Sequence, residues 1–210
     1  YGFQNIISGR LYLGLAYLAA VLDKEGHDVK IFNGETFFKN INNKGEKVVI
    51  DEETYLKNYS PNHEVYKEIM SAVKDFRPDI VGISFMTANS ASGYYLAEML
   101  KSYDPKLPVI AGGTHPTLLP EEPLKKAPFD YVIKGEGEET IVDLINSIKN
   151  KKDISKVPGI SYLKDGKIIH NPNRPFVQEL DKLPFPAFHL MKDAQKNLYA
   201  CTGITTARGC

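Results

Sequence analysis

Two apolar runs that stop abruptly at glycine constrain this chain more than any other feature. They are Val109-Ile-Ala-Gly-Gly-Thr-His-Pro-Thr-Leu-Leu-Pro-Glu-Glu122 and Asp130-Tyr-Val-Ile-Lys-Gly-Glu-Gly-Glu-Glu-Thr140. Each has the form of a strand in an open α/β sheet that ends in a ligand-facing loop. Parallel strands of one sheet finish on the same side, so both loops are expected on one edge. Gly112, Gly113, Gly135 and Gly137 there allow positive φ and let the backbone approach a flat ligand that side chains would crowd.

The rest of the chain repeats a helix-and-strand rhythm. Leu11, Leu15, Leu18, Ala19 and Leu22 recur at helical spacing, and Gly26 closes that helix before a short strand, Val29–Phe32. Val65, Ile69, Ala72 and Phe76 mark a second helix ending before Pro78, and Asp79–Phe85 reads as a central, buried parallel strand. Asn89-Ser90 can cap a helix carrying Tyr95, Met99, Leu100 and Tyr103, followed by a strand at Pro108–Ala111. Tyr131–Ile133 is the next strand, and Ile141, Leu144, Ile145 and Ile148 form the apolar stripe of the helix after it.

Beyond Asn150 the pattern changes. Gly159–Leu163 and Lys167–His170 flank Asp165-Gly166, a hairpin signal, read as an appendage to the sheet. Leu180–Phe188 carries two prolines and is expected to be an extended connector. Residues 1–10 read as a loop, and 34–60 as a polar insertion with no assigned function. The expected fold is a Rossmann-like, flavodoxin-type α/β domain with a mainly parallel sheet flanked by helices, a C-terminal β-hairpin and a connector. The expected divisions are 1–150 for the main domain, 151–200 for hairpin and linker, and 201–210 for the start of a further domain.

Lys plus Arg equals Asp plus Glu, 26 each, so no net field draws the chain to nucleic acid or an anionic membrane. No apolar run nears the roughly 20 residues that cross a bilayer, and no charged-then-apolar leader opens the sequence; the expected location is cytoplasmic. The two cysteines, Cys201 and Cys210, sit near the C-terminus, unlike the framework of a secreted disulfide scaffold, and read as reduced thiols. A start at Tyr1 without Met and an end on Cys210 suggest an excerpt of a longer polypeptide.

"AGGTHPTLLPEE" followed by "DYVIKGEGEET" resembles the cobalamin-binding domain found in front of radical S-adenosylmethionine (SAM) enzymes. Leu13–Leu22 and Thr206-Ala-Arg-Gly-Cys210 match the same family at opposite ends of the chain. The resemblance implies a first strand upstream of Tyr1, cobalamin as cofactor, and a C-terminal radical SAM domain of the same chain as partner. It implies a 4Fe-4S cluster and SAM in the full-length protein. The family's common reaction is methyl transfer to an unactivated carbon; some relatives close rings instead, as in anaerobic porphyrin cyclisation.

The resemblance also nominates cofactor-binding residues. Ser84 and Met86 match a Ser-x-Leu that lines the channel for the nucleotide tail, with Met in place of Leu; a strand serine bonded to backbone would look the same. Gly112 and Gly113 match the family's paired glycines, which a strand-ending turn explains almost as well. Thr87, Thr114 and His115 flank these positions. His115 lacks the Asp-x-His-x-x-Gly context of a cobalt ligand, so it either steadies its loop or meets an amide, phosphate or ribose of the cofactor.

Gly135, Glu136 and Gly137 complete the candidate set. Their Gly-Glu-Gly-Glu-Glu-Thr resembles a dinucleotide fingerprint, but its third glycine is Thr140 and three carboxylates would repel a pyrophosphate. Those carboxylates suit a helix N-terminus and can also accept from neutral corrin amides. Cys210 matches the first cysteine of the cluster motif, and one thiolate cannot hold such a cluster, so the fragment itself is not expected to be catalytic. The alternatives are a cobalamin sensor, a degenerate scaffold domain and, less well supported, a flavodoxin-like flavin or nucleotide binder.

Overall fold

A computed structural model describes residues 13–32, 63–190 and Arg208. The chain divides into two compact units, Val73–Glu179 and a second formed by Tyr1–Ala72 with Leu180–Cys210. The expected loop at 1–10, the insertion at 34–60 and both cysteines lie outside the described residues.

The larger unit is built on a five-stranded sheet. Its strands are β1 (Val81–Ser84), β2 (Val109–Gly112), β3 (Tyr131–Ile133), β4 (Ile160–Lys164) and β5 (Lys167–His170), in that spatial order. β1, β2 and β3 run parallel, Ser84 beside Gly112 and Ala111 beside Val132. β4 then runs antiparallel to β3, pairing Ile133 with Ile160, and β5 antiparallel to β4. The α/β class expected from the sequence is what the chain adopts.

Three details of the five-stranded sheet differ from expectation. The most buried strand is β2, with Val109, Ile110 and Ala111 at most 2% exposed, because it alone among the parallel strands has parallel partners on both sides. Among the described residues β1 pairs only with β2 and is half-buried, so it forms the edge of the described sheet. The hairpin does not stand off as an appendage: β4 continues the ladder of β3. Its turn is the expected one, with Asp165 at φ 50° and Gly166 at φ 74°, the two left-handed residues of a type I′ hairpin.

Helices cross between the parallel strands. Ser90–Tyr103 joins β1 to β2 (α3, after α1 at Leu13–Lys24 and α2 at Glu64–Phe76), and α4 (Thr114–Leu118) and α5 (Glu121–Lys126) join β2 to β3. α6 (Glu138–Lys149) follows β3 and buries Ile141 and Leu144 on the expected stripe. Leu100, Leu144 and Ile160 are fully buried, each worth roughly 1.5–3 kcal/mol of apolar burial. Asn89 does not cap α3 forward: its Oδ1 accepts from the Met86 amide at 2.7 Å and closes the preceding turn.

In the smaller unit α1 buries Ala16, Tyr17, Ala19, Ala20 and Val21, a face rotated away from the leucines that the spacing favoured. The alanines explain the rotation, because only a small-residue face lets another backbone come close. The Ala187 amide donates to the Ala16 carbonyl at 3.0 Å, and Phe188 packs on the same patch. Residues 180–190 have the irregular, proline-broken path expected of a connector, interrupted by short turns at Leu180–Lys182 and Phe188–Leu190. Val29–Phe32 forms no strand, since no neighbouring strand pairs with it among the described residues.

Candidate functional site

The parallel strands β1, β2 and β3 all point their carboxyl ends at one edge, and the two glycine loops lie there as expected. The loops are tied together directly: the Gly135 amide donates to Thr117 Oγ1 at 3.0 Å. Ser84, Met86, Thr87, Gly113, Thr114 and Gly135 are exposed on this rim, whereas Gly112, Glu136 and Gly137 are half-buried. The sequence singled out all nine.

Beneath the rim lies an aromatic floor that the sequence reading missed. Phe85, between Ser84 and Met86, turns inward and is 4% exposed. Its ring meets Tyr94 edge-on at 5.6 Å between centroids, and His115 and Phe129 at 5.8 and 5.9 Å. The period-two alternation of a strand end was the available signal: with Ser84 and Met86 facing out, Phe85 must face in.

Ser84 differs from expectation. Its hydroxyl was expected to be buried in a channel, yet the residue is exposed, because β1 is the edge of the described sheet. The hydroxyl borders Gly113, where an added Cβ would lie 2.9 Å from Ser84 Oγ and 2.7 Å from the Phe85 carbonyl oxygen. With φ 99° and ψ −172°, Gly113 occupies a region open only to glycine. By contrast, a Cβ at Gly112 or Gly135 would meet nothing within 4 Å, so those positions border open space.

His115 is 2% exposed and takes both ring nitrogens inward. Nε2 lies 2.9 Å from the Tyr94 hydroxyl and Nδ1 3.1 Å from Thr87 Oγ1, while Glu122 approaches Nε2 at 3.7 Å. Of the two roles left open by the sequence, this geometry supports steadying the loop. Burial, followed by the neighbouring Glu122 charge, pushes the Tyr94 hydroxyl up to about 12.

Two carboxylates of the acidic loop, Glu136 and Glu139, are engaged by the chain itself. Glu136 Oε2 accepts from the Val177 amide at 2.6 Å. Arg174, 14% exposed at its side chain, donates Nε–H to buried Thr140 Oγ1 at 2.9 Å and Nη1–H to Glu139 at 3.0 Å, and also pairs with Asp143. Lys134 Nζ holds Asn173 Oδ1 at 2.8 Å and the Asn171 carbonyl at 3.2 Å, and burial lowers its pKa. Residues 171–177 thus form a strap across the β3–α6 loop. These carboxylates are not an open acceptor row for a ligand, and no spacing rule could have paired residues 136 and 177.

The rim offers an apolar Met86, hydroxyls at Ser84, Thr87 and Thr114, and open space at Gly112 and Gly135, with Glu136 and Glu139 beside it already engaged by the chain. That set fits a large, flat, uncharged ligand decorated with hydrogen-bond donors, and it fits a free pyrophosphate poorly. The family model of the B12 binding domain matches residues 12–145 of the 210. The chain belongs to the B12-binding domain family.

Relatives of this B12-binding domain agree in kind. It is 31% identical over 204 residues to an uncharacterised methyltransferase of Pyrococcus horikoshii, covering 94% of this chain and 38% of that protein. It is 33% identical over 148 residues to an anaerobic magnesium-protoporphyrin IX monomethyl ester cyclase of Synechocystis sp., covering 68% of this chain and 30% of the cyclase. Its fold resembles that of the cobalamin-dependent S-adenosylmethionine radical enzyme OxsB, with TM-score 0.68 and 22% identity over 91% of this chain and 24% of OxsB. The chain therefore spans well under half the length of each.

Proposed function

We propose that this B12-binding domain holds cobalamin on the carboxyl edge of β1–β3 and presents it to a radical SAM domain of the same polypeptide. Methyl transfer is the favoured reaction of the whole protein and ring closure the second, since relatives of both kinds match. The observation that carries the cofactor assignment is the open glycine rim, with Glu136 and Glu139 turned to the strap, in a chain of this family. Ser84, Met86, Thr87, Gly112, Gly113, Thr114, Gly135, Glu136 and Gly137 form or shape the rim. His115 supports it from behind, and Cys210 would supply one cluster ligand. When bound, cobalamin supplies a cobalt centre able to carry a methyl group; the residues named here bind and orient it.

Among the described residues no helix is long and apolar enough to cross a membrane. A cytoplasmic setting, suited to a reduced cluster and free thiols, is part of the proposal.

The test is incubation with hydroxocobalamin followed by gel filtration. Corrin absorbance is expected to co-elute with the protein and to be lost in Ser84→Trp, whose indole would project across the rim while the fold is retained. A folded wild-type chain that emerges colourless would overturn the assignment in favour of a scaffold role.

A further inference from the structure

The Gly135–Gly137 stretch of the rim has little with which to hold its own shape. Two of its three residues have no side chain, and a Cβ at Gly135 would meet nothing within 4 Å. Glycine has more backbone freedom to lose on ordering than any other residue. One bond within the rim, from the Gly135 amide to Thr117 Oγ1, ties the stretch to the β2 loop.

The strap of residues 171–177 grips it before, within and after. Before it, Lys134 Nζ donates to Asn173 Oδ1 at 2.8 Å and to the Asn171 carbonyl at 3.2 Å. Within it, Glu136 Oε2 accepts from the Val177 amide at 2.6 Å. After it, Arg174 donates to Thr140 Oγ1 and Glu139 at 2.9 and 3.0 Å.

The strap itself has a fixed root. Asn171 is 5% exposed, its Nδ2 donates to the carbonyls of Ile154 and Val157 at 2.8 Å each, and its amide donates to the Ile160 carbonyl at 3.0 Å. The hairpin is already placed by the β3–β4 ladder, so the grips on residues 136, 139 and 140 are not needed to seat it. What they fix is the loop.

Resting on the cobalamin reading, we propose that Lys134 and Arg174 are positioning residues for the cofactor: neither touches it, and the strap they anchor holds Gly135–Gly137 in the shape that receives it. The loop is then ordered before the ligand arrives, and binding does not have to supply that ordering.

Two measurements on the whole chain test this. Lys134→Met, which keeps the stem of the side chain, and Arg174→Ala release the loop from opposite sides. In the cofactor-free protein, amide exchange at residues 135–137 is expected to quicken in both variants under conditions where circular dichroism shows them folded. Hydroxocobalamin titrations are expected to show about tenfold weaker binding for each, the cost of leaving roughly one residue's backbone for the ligand to order. The visible spectrum of the bound corrin should not change. Asp143→Asn, which alters the pair Arg174 makes further along α6, is expected to bind as wild type does.

A folded Lys134 or Arg174 variant that binds as tightly as wild type, or whose loop amides exchange at the wild-type rate, would overturn the inference. So would an equal loss in Asp143→Asn, or an altered bound-corrin spectrum, which would mean direct contact. Should one variant fail to fold, the other decides. A wild-type chain that binds no corrin would overturn the cofactor reading and this role together, and the exchange rates then show separately whether the strap holds the loop.

Discussion

Gly113→Ala is expected to destabilise the larger unit by about 3–5 kcal/mol, combining a glycine-only backbone region with an unyielding overpacked contact. The methyl carbon would lie 2.7 and 2.9 Å from the Phe85 carbonyl oxygen and amide nitrogen, which are backbone atoms that pair with the β2 edge. The Phe85 amide donates to the Gly112 carbonyl at 3.0 Å, and the Phe85 carbonyl accepts from the His115 amide at 3.4 Å. Relief of the clash would therefore break the joint that sets the rim. Against a typical total stability of about 5–15 kcal/mol, much of the folded population is at risk. Urea unfolding monitored by far-UV circular dichroism measures the loss.

Gly112→Ala is the matched control. Its added carbon meets nothing within 4 Å, so its midpoint should stay within about 0.5 kcal/mol of wild type. Equal stability of the Gly113 and Gly112 variants would show that the close approach at Gly113 is not what shapes this edge.

Arg174→Ala is expected to cost about 2 kcal/mol, from hydrogen bonds of a charged donor to a half-buried site. The contacts differ in weight. Glu139 and Asp143 are 57% and 50% exposed at their side chains, so solvent screens those pairs and each adds little. The bond to Thr140 Oγ1 carries more, because Thr140 is fully buried. The deficit should therefore change little between low and high salt. Arg174→Lys, which keeps the charge but not the fork of donors, should recover only part of it. Full recovery by lysine, or a deficit that vanishes in salt, would assign the strap to simple charge pairing.

How much of this was legible in the sequence depends on the range of the interaction. The glycine loops after β2 and β3, the stripe on α6 and the Asp165-Gly166 turn are local patterns, and the structure has them where periodicity and turn chemistry place them. β1 reads as a central strand because its composition is apolar, but centrality depends on which strands flank it, and that is a property of the whole sheet. The hairpin reads as an appendage because it breaks the helix-strand rhythm, yet antiparallel pairing of Ile160 with Ile133 needs no crossover helix and extends the same core.

Side-chain partnerships across long separations were the least legible. His115 was nominated for a rim, and the backbone does bring its loop there. Its ring turns inward because Tyr94 and Thr87, from the β1–α3 segment, offer partners at both nitrogens. Glu136 was nominated as a possible acceptor for the ligand, but an amide 41 residues away takes one of its oxygens. At the rim glycines Gly112, Gly113 and Gly135 the local reading of where the loops fall and the structure coincide.

The central claim is that cobalamin sits on this edge, and amide hydrogen exchange with and without hydroxocobalamin tests it most directly. The rival location is the other end of the sheet, where Lys101, Phe129, Asp130, Tyr131 and Tyr162 line a cavity of about 540 Å³. Protection confined to residues 84–87, 112–115 and 135–137 is the predicted result. Protection at residues 128–131 and 162–163 with none at the glycine rim would contradict it.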